Sequence, residues 1–520
     1  MTSTRMFKGT PQPRPLTMNT SRSPVHNRFL PLFFFFFLLT FIVGEVASFV
    51  PLFPQLPRST KLAEGRIATA PASALFSSTP SPSVDTATTT ATTAVAESSD
   101  NNNNNNNNMD NNRLEEYQQQ ANRLASSFVP NPFDPIPWLS NQHIQTIGSF
   151  FVRDKPECAW VANDGISTMI RSAFSTNKKE QVPFWDERER IETPDNDWFH
   201  VDYKYATTTT STMDDKTNGL MILVHGLQSN SNSTLCVDMA RAYTSLGLDV
   251  ACINFRGCSG TPNDTAGGYH LGFTNDLKLF LTRQQQQQQQ STEDTDDDDD
   301  NKTTKKRPLY LSGFSLGANV VVKALGELKT AAVDDYNIRG AVAFCVTLDA
   351  ERNSPVLAQR GINREVYTRN LLQSLQDVAR EKQARFGTVS TGIDFERAIQ
   401  CDTIFDFDDA FVAPFYGFDN ANDYYRRTSS VRFLPDVAVP LMILNSQDDP
   451  FMDSSFFPTE LARENGGRAP VKMVRTPHGG HLGYVFHRLP KGQDRPDVSW
   501  GPYEMKRFIQ HVMKQQEDAE

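Results

Sequence analysis

Five short, almost purely apolar runs separated by helix-like stretches restrict the fold of this 520-residue chain more than any other feature. They are GLMILVHG (219–226), Asp249–Phe255, RPLYLSG (307–313), GAVAFCVTL (340–348) and VPLMILN (439–445). A strand buried on both faces reads as a continuous apolar run instead of alternating. Helical stretches fall around Asp238–Leu246, at about 273–282 and at Leu316–Leu328, and VKMVRT (471–476) reads as a sixth strand. Strand–helix alternation of this kind predicts a mostly parallel sheet covered by helices on both faces.

Residues 349–438 form a long excursion between the fourth and fifth runs. Leu371, Leu372, Leu375 and Val378 give one apolar helix face there, and an aromatic cluster follows from Phe405 to Phe418. A segment leaving a strand's carboxyl end predicts an inserted helical lid. Its aromatics are read one by one as ordinary core before acyl-chain pocket.

The flanks differ in character. A basic stretch (Arg5 to Arg28) precedes FLPLFFFFFLLTFIV, residues 29–43, which is too short for a membrane span and suited to a signal sequence. Val46-Ala47-Ser48 offers a cleavage site; an uncleaved anchor is the alternative. Residues 49–110 begin Ser/Thr/Ala-rich and poor in acids, as transit peptides are, and Ala47-Ser48-Phe49-Val50-Pro51 resembles the junction motif of algal preproteins bound for secondary plastids. The order of segments predicts plastid delivery, with a secretory membrane anchor as the alternative. Asn101–Asn108, Gln284–Gln290 and Asp296–Asp300 are homopolymer tracts, so 283–306 reads as a disordered insert and the folded domain as 131–517.

The net charge of -10 owes seven negatives to Glu293–Asp300 alone, and no basic face suggests a nucleic-acid partner. Six cysteines show no CxxC pair and no ligand spacing, so neither a disulfide framework nor a metal or other cofactor is expected.

Gly313-Phe314-Ser315-Leu316-Gly317 is a G-x-S-x-G element that ends an apolar strand and opens a helix. A serine on that tight turn is held above the sheet, and the flanking glycines remove side chains that would clash. Its hydroxyl needs a base, and the base an orienting acid, in the order Ser, acid, His. Asn445-Ser446-Gln447-Asp448-Asp449-Pro450 follows the fifth strand, and Pro477-His478-Gly479-Gly480-His481 follows the sixth. His481 is the expected base, with His478 as alternative. Asp448 is the expected acid, from a G-x-x-D-like turn, while Asp449 before Pro450 reads as a turn-shaping residue and Asp349 as a remoter acid. The N–H groups of Leu316 and Leu227 are the expected oxyanion donors, and His225 reads as a structural residue shaping the loop before Leu227.

Over roughly residues 131–515 the chain resembles the YheT-like branch of the α/β hydrolases, which includes plant embryogenesis-associated and animal phospholipase-like members. The resemblance rests on Asn141-Gln142-His143-Ile144-Gln145-Thr146, His225-Gly226-Leu227, Asn254-Phe255-Arg256-Gly257-Cys258-Ser259-Gly260 and the Gly313–Gly317 elbow. It continues through Phe407-Asp408-Asp409, Ala413-Pro414, Asp423-Tyr424-Tyr425-Arg426, Asp448-Asp449-Pro450 and Gly479-Gly480-His481-Leu482-Gly483. It implies an α/β-hydrolase fold and places the catalytic serine, acid and histidine on Ser315, Asp448 and His481. It further implies a carboxylesterase or lipase for short- to medium-chain acyl esters, some from acylglycerols or phospholipids. A monomer that meets membrane surfaces is expected. An acyltransferase or thioesterase with the same three residues, or a binding module that kept the fold, are the alternatives.

Overall fold

A computed structural model describes residues 100–162, 166–173, 183–206, 218–293, 306–387 and 392–519. The signal- and transit-like segments before residue 100 lie outside the described residues, as does 294–305. No helix among the described residues is long and apolar enough to cross a membrane.

In chain order, helix α1 (Asp100–Ser126) and helix α2 (Gln142–Val152) precede strands β1 (Glu187–Glu192), β2 (Trp198–Lys204) and β3 (Leu220–Val224). Helix α3 (Thr234–Thr244), strand β4 (Asp249–Asn254), helix α4 (Asn275–Glu293), strand β5 (Leu309–Phe314), helix α5 (Leu316–Leu328) and strand β6 (Ile338–Phe344) follow. After the lid segment come strands β7 (Leu441–Ser446) and β8 (Val471–Thr476) and the closing helix α6 (Trp500–Glu517).

The eight strands form one sheet in the order β1-β2-β4-β3-β5-β6-β7-β8. Strands β3 to β8 run parallel, and β1 and β2 join antiparallel at one end. Every residue of β3, β4, β5 and β7 is buried, which is why each reads as an unbroken apolar run. The edge strand β1, ERERIE, buries only Ile191, and its exposed charges discourage pairing with another chain. Its polarity also hid it from a search for apolar runs. Strand order reverses at β3, with β4 on one side and β5 on the other. The carboxyl ends of β3 and β5 therefore flank the crevice where ligands of open parallel sheets bind.

Two boundaries differ from those expected. The folded unit begins before residue 131, because Leu114, Ala121 and Ala125 of α1 are buried. Gln118 of that helix donates to the carbonyls of Pro435 and Val437, at 2.7 and 3.0 Å, and Glu115 pairs with Arg463. The glutamine tract is not a break: α4 continues through it to Glu293, with Gln284 buried and Gln285 donating to the Asp335 carbonyl at 3.1 Å. Glutamine is a fair helix former, and extending an existing helix needs no new nucleus.

The lid segment folds as short helices, the longest being Arg369–Phe386. Phe407 and Phe411 stack with centroids 5.2 Å apart and are buried with Leu372 in the same core cluster. These two aromatics are core.

Candidate active site

Ser315 occupies the turn between β5 and α5 with φ 55° and ψ −122°, a backbone conformation that non-glycine residues rarely adopt. The turn is held from both sides. The Ser315 N–H donates to the Phe344 carbonyl at 2.9 Å. A Cβ on Gly317 would sit 2.3 Å from the carbonyl oxygens of Val224 and His225, and one on Gly313 would sit 2.5 Å from the Gly317 carbonyl. Both glycines of the motif are therefore required by backbone approach.

The Ser315 Oγ lies 3.0 Å from Nε2 of His481, and His481 Nδ1 lies 2.8 Å from Oδ2 of Asp449. The Asp449 carboxyl is fully buried and His481 nearly so. With Nδ1 donating to the carboxylate, Nε2 is free to accept the serine proton. Asp448, the acid expected from sequence, does not reach His481. Its Oδ1 accepts the Gly480 N–H at 2.9 Å, and its Oδ2 stands 3.2 Å from the Nδ1 of His478. The acid position thus belongs to Asp449, and the turn-shaping position to Asp448. The reason is strand length. Strand β7 pairs through Ser446↔Thr476, and Gln447 adds one more N–H to the ladder, so the turn starts later than the end of the apolar run at Asn445 implies. Neighbouring side chains leave a turn in different directions, and the shift exchanges the two aspartates. His478, the alternative base, is half exposed and faces Asp448. Asp349 caps the helix Ala350–Leu357 through the N–H groups of Glu351 and Arg352.

Leu316 is the first residue of α5, so its N–H has no partner within the helix. Leu227 follows Gly226, where an added Cβ would come within 3.2 Å of the Ser315 Cβ. The loop carrying the second expected oxyanion donor thus lies against the serine. His225 is fully buried; its Nδ1 donates to the Gly226 carbonyl at 2.8 Å and its Nε2 accepts the Phe255 N–H at 3.1 Å. Burial lowers it to about 4, so it is a neutral brace for this loop.

No family model matches the chain. Among curated proteins, "Putative esterase YheT" of Escherichia coli is 28% identical over 325 residues, covering 62% of this chain and 85% of its own length. "Embryogenesis-associated protein EMB8" of Picea glauca is 23% identical over 74% of this chain and 73% of its own length. Human "Phospholipase ABHD3" is 24% identical over 67% of this chain and 76% of its own length. The chain is thus similar to proteins of the YheT-like branch of the α/β hydrolases.

The histidine loop is fixed by four side chains from three segments far apart in sequence. Thr146 Oγ1 on α2 accepts the His481 N–H at 2.8 Å, and Ser446 Oγ donates to the Gly480 carbonyl at 3.0 Å. Cys345 Sγ accepts the Leu482 N–H at 3.3 Å, and Arg153 donates to the carbonyls of Leu482 and Gly483. A Cβ on Gly480 would lie 2.4 Å from Thr146 Oγ1, so helix α2 and the loop fit only with glycine there. Phe451 lies flat on the imidazole, centroids 4.1 Å apart at 8°. Thr146, Cys345 and Phe451 were not legible as site residues. Only Thr146 carried a signal, as the last residue of the Asn141–Thr146 motif. Among the described residues, Cys345, Asp449 and His481 are the one group whose ligand atoms lie close enough, within 4.8 Å, to hold a metal. Two of the three are already bonded to each other.

Proposed function

We propose that this chain hydrolyses carboxylic esters through an acyl-enzyme on Ser315, with short- to medium-chain acyl lipids as substrates. The observation that supports it is the relay from Ser315 Oγ through His481 to the buried Asp449, with spacings of 3.0 and 2.8 Å. In this reading Ser315 Oγ attacks the ester carbonyl carbon as its proton passes to His481 Nε2. The carbonyl electron pair moves to oxygen, facing the N–H groups of Leu227 and Leu316. His481 then protonates the leaving alcohol, and a water deprotonated by His481 releases the acid. Asp449 keeps the imidazole in the required tautomer and stabilises its charged form. Relatives named monoacylglycerol lipase and phospholipase support acylglycerols and phospholipids as the substrate class. Such substrates would bring the protein to membrane surfaces. The signal-like run at 29–43 followed by a transit-like stretch supports plastid delivery.

The test is labelling of purified protein with a fluorophosphonate, peptide mapping of the adduct, and release of free acid from monoacylglycerols and phosphatidylcholines of graded chain length. An adduct on Ser315 and a rate maximum at short to medium chains are expected. No adduct on Ser315, or no acid released from any ester, would remove this reading.

A further inference from the structure

The loop that carries the Leu227 N–H is braced from outside by one tyrosine. Tyr269 Oη accepts the N–H of Gln228 at 2.8 Å, and Gln228 holds φ 53°, a conformation that a non-glycine residue keeps only when its surroundings impose it. The Tyr269 ring stacks on Phe255 with centroids 4.4 Å apart at 5°. Phe255 in turn meets His225 edge-on at 4.8 Å and donates its N–H to the same imidazole. Both ends of the segment His225–Gln228 are thus gripped by one aromatic stack.

The segment bearing Tyr269 is itself tied to the lid. Tyr416 Oη accepts the Gly268 N–H at 3.1 Å, and Tyr424 Oη accepts the Leu271 N–H at 2.8 Å. Lys382, on the long lid helix Arg369–Phe386, donates to the carbonyls of Ala266 (2.8 Å) and Gly267. His270 lies among Phe273, Tyr416, Phe418 and Tyr424, and burial lowers it to about 3, so this box is uncharged at neutral pH. An unbroken set of contacts therefore runs from three lid residues through 266–271 and Tyr269 to the residue after Leu227.

We infer that Tyr269 is a positioning residue for the oxyanion site, and that the seating of the lid on residues 266–271 sets the direction of the Leu227 N–H. The inference rests on the ester-hydrolase reading of Ser315. An oxyanion donor acts on charge that exists only in the transition state, so misaiming it lowers turnover and leaves ground-state binding alone. A brace that merely stabilised the fold would not discriminate between the two.

The experiment compares wild-type protein with Tyr269→Phe, which keeps the ring stack and removes the acceptor. Measured are kcat and KM on one ester, the thermal midpoint, and affinity for an acyl trifluoromethyl ketone. Ser315 Oγ adds to that ketone, its proton passes to His481, and the carbonyl electron pair becomes an alkoxide in the oxyanion site. Tyr269→Phe is expected to lower kcat about 10- to 100-fold, short of the roughly 10²- to 10³-fold reported for deleting an oxyanion donor outright. KM should stay near wild type, and ketone affinity should fall by the same factor as kcat/KM. Tyr416→Phe, which loosens the segment from the lid side, is expected to give the same pattern at about 3-fold. Should Tyr269→Phe not fold, Tyr416→Phe alone carries the test. Unchanged kcat and ketone affinity, or a loss confined to KM, would overturn the inference. A fluorophosphonate adduct on Ser315 of the wild type separates that outcome from failure of the hydrolase reading.

Discussion

The two halves of the site are built by different means. The serine half is a matter of backbone: strands β3, β5 and β6 converge, and Gly313 and Gly317 let main chain approach main chain where no Cβ would fit. The acid–histidine half is a matter of side chains. Asp448, Ser446, Thr146 and Cys345 each donate to or accept from one backbone group of the loop around His481, and Asp449 holds the imidazole itself. The first half is therefore intolerant of added atoms, and the second, though equally closed to a Cβ at Gly480, is intolerant of lost hydrogen bonds as well. A single carboxylate exchanged for its neighbour changes the second half's chemistry while leaving its outline intact.

The largest expected effect lies in the serine half. Ser315→Ala removes the nucleophile but no bond that holds the turn, since its N–H still reaches the Phe344 carbonyl. Turnover should fall by about 10⁵- to 10⁶-fold with the thermal midpoint within a few degrees of wild type. Ester turnover by the purified variant near the wild-type rate would show that the elbow is not the reacting centre.

Next comes the pair of aspartates. Asp449→Asn should reduce kcat by about 10³- to 10⁴-fold, because the imidazole loses both its tautomer and its counter-charge. Asp448→Asn leaves His481 and its acid in place and weakens the acceptor of the Gly480 N–H, so its rate loss should be far smaller, its main effect a lower midpoint. Measuring kcat and melting temperature for both variants decides the assignment. Asp448→Asn as the more damaging change in rate would return the acid to Asp448.

That exchange marks where the sequence stops being legible. Apolar runs placed β3 to β7, because burial on both faces leaves no other composition, and the elbow's glycines placed Ser315. Strand β1 escaped notice because four of its first five positions are charged, and α1 because its helix opens in an asparagine run. Asp449 and Thr146 escaped for another reason. Their roles depend on where a strand ends to within one residue, and on which helix packs beside a loop more than 300 positions away. Local periodicity contains neither.

Thr146 gives a smaller effect and tests the side-chain half without touching charge. Thr146→Val keeps the shape and leaves the buried His481 N–H without its acceptor, which costs about 1–3 kcal/mol of stability. An imidazole loop freed in this way should also lose about 10-fold in kcat, since displacements well under 1 Å matter at a reacting centre. Thr146→Ser retains the oxygen and should restore most of both. If Thr146→Val matches wild type in rate and midpoint, the histidine loop is held without α2.

The smallest effect on rate is expected from Asp408, in the lid, which belongs to neither half and so separates stability from chemistry. Its carboxyl is buried and bonds the Tyr425 hydroxyl at 2.7 Å. Burial raises it from the ordinary carboxyl value of 3.8 to about 7, against a smaller opposing effect of the tyrosine bond. A raised carboxyl means that the folded protein holds a proton the unfolded chain has released. Stability from this group is therefore complete below about pH 4, declines as pH rises, and is lost once pH passes about 7. Asp408→Asn is neutral throughout, and its side-chain oxygen can still accept from Tyr425. Its midpoint should match wild type near pH 4 and exceed it increasingly up to pH 8, with kcat at pH 7 nearly unchanged. A midpoint difference that stays constant from pH 4 to 8 would show that Asp408 does not titrate in this range. A matching fall in kcat would show that the lid's stability and the serine's chemistry are not separable, which is what the contacts through Tyr416 and Tyr424 to the oxyanion loop also put at stake.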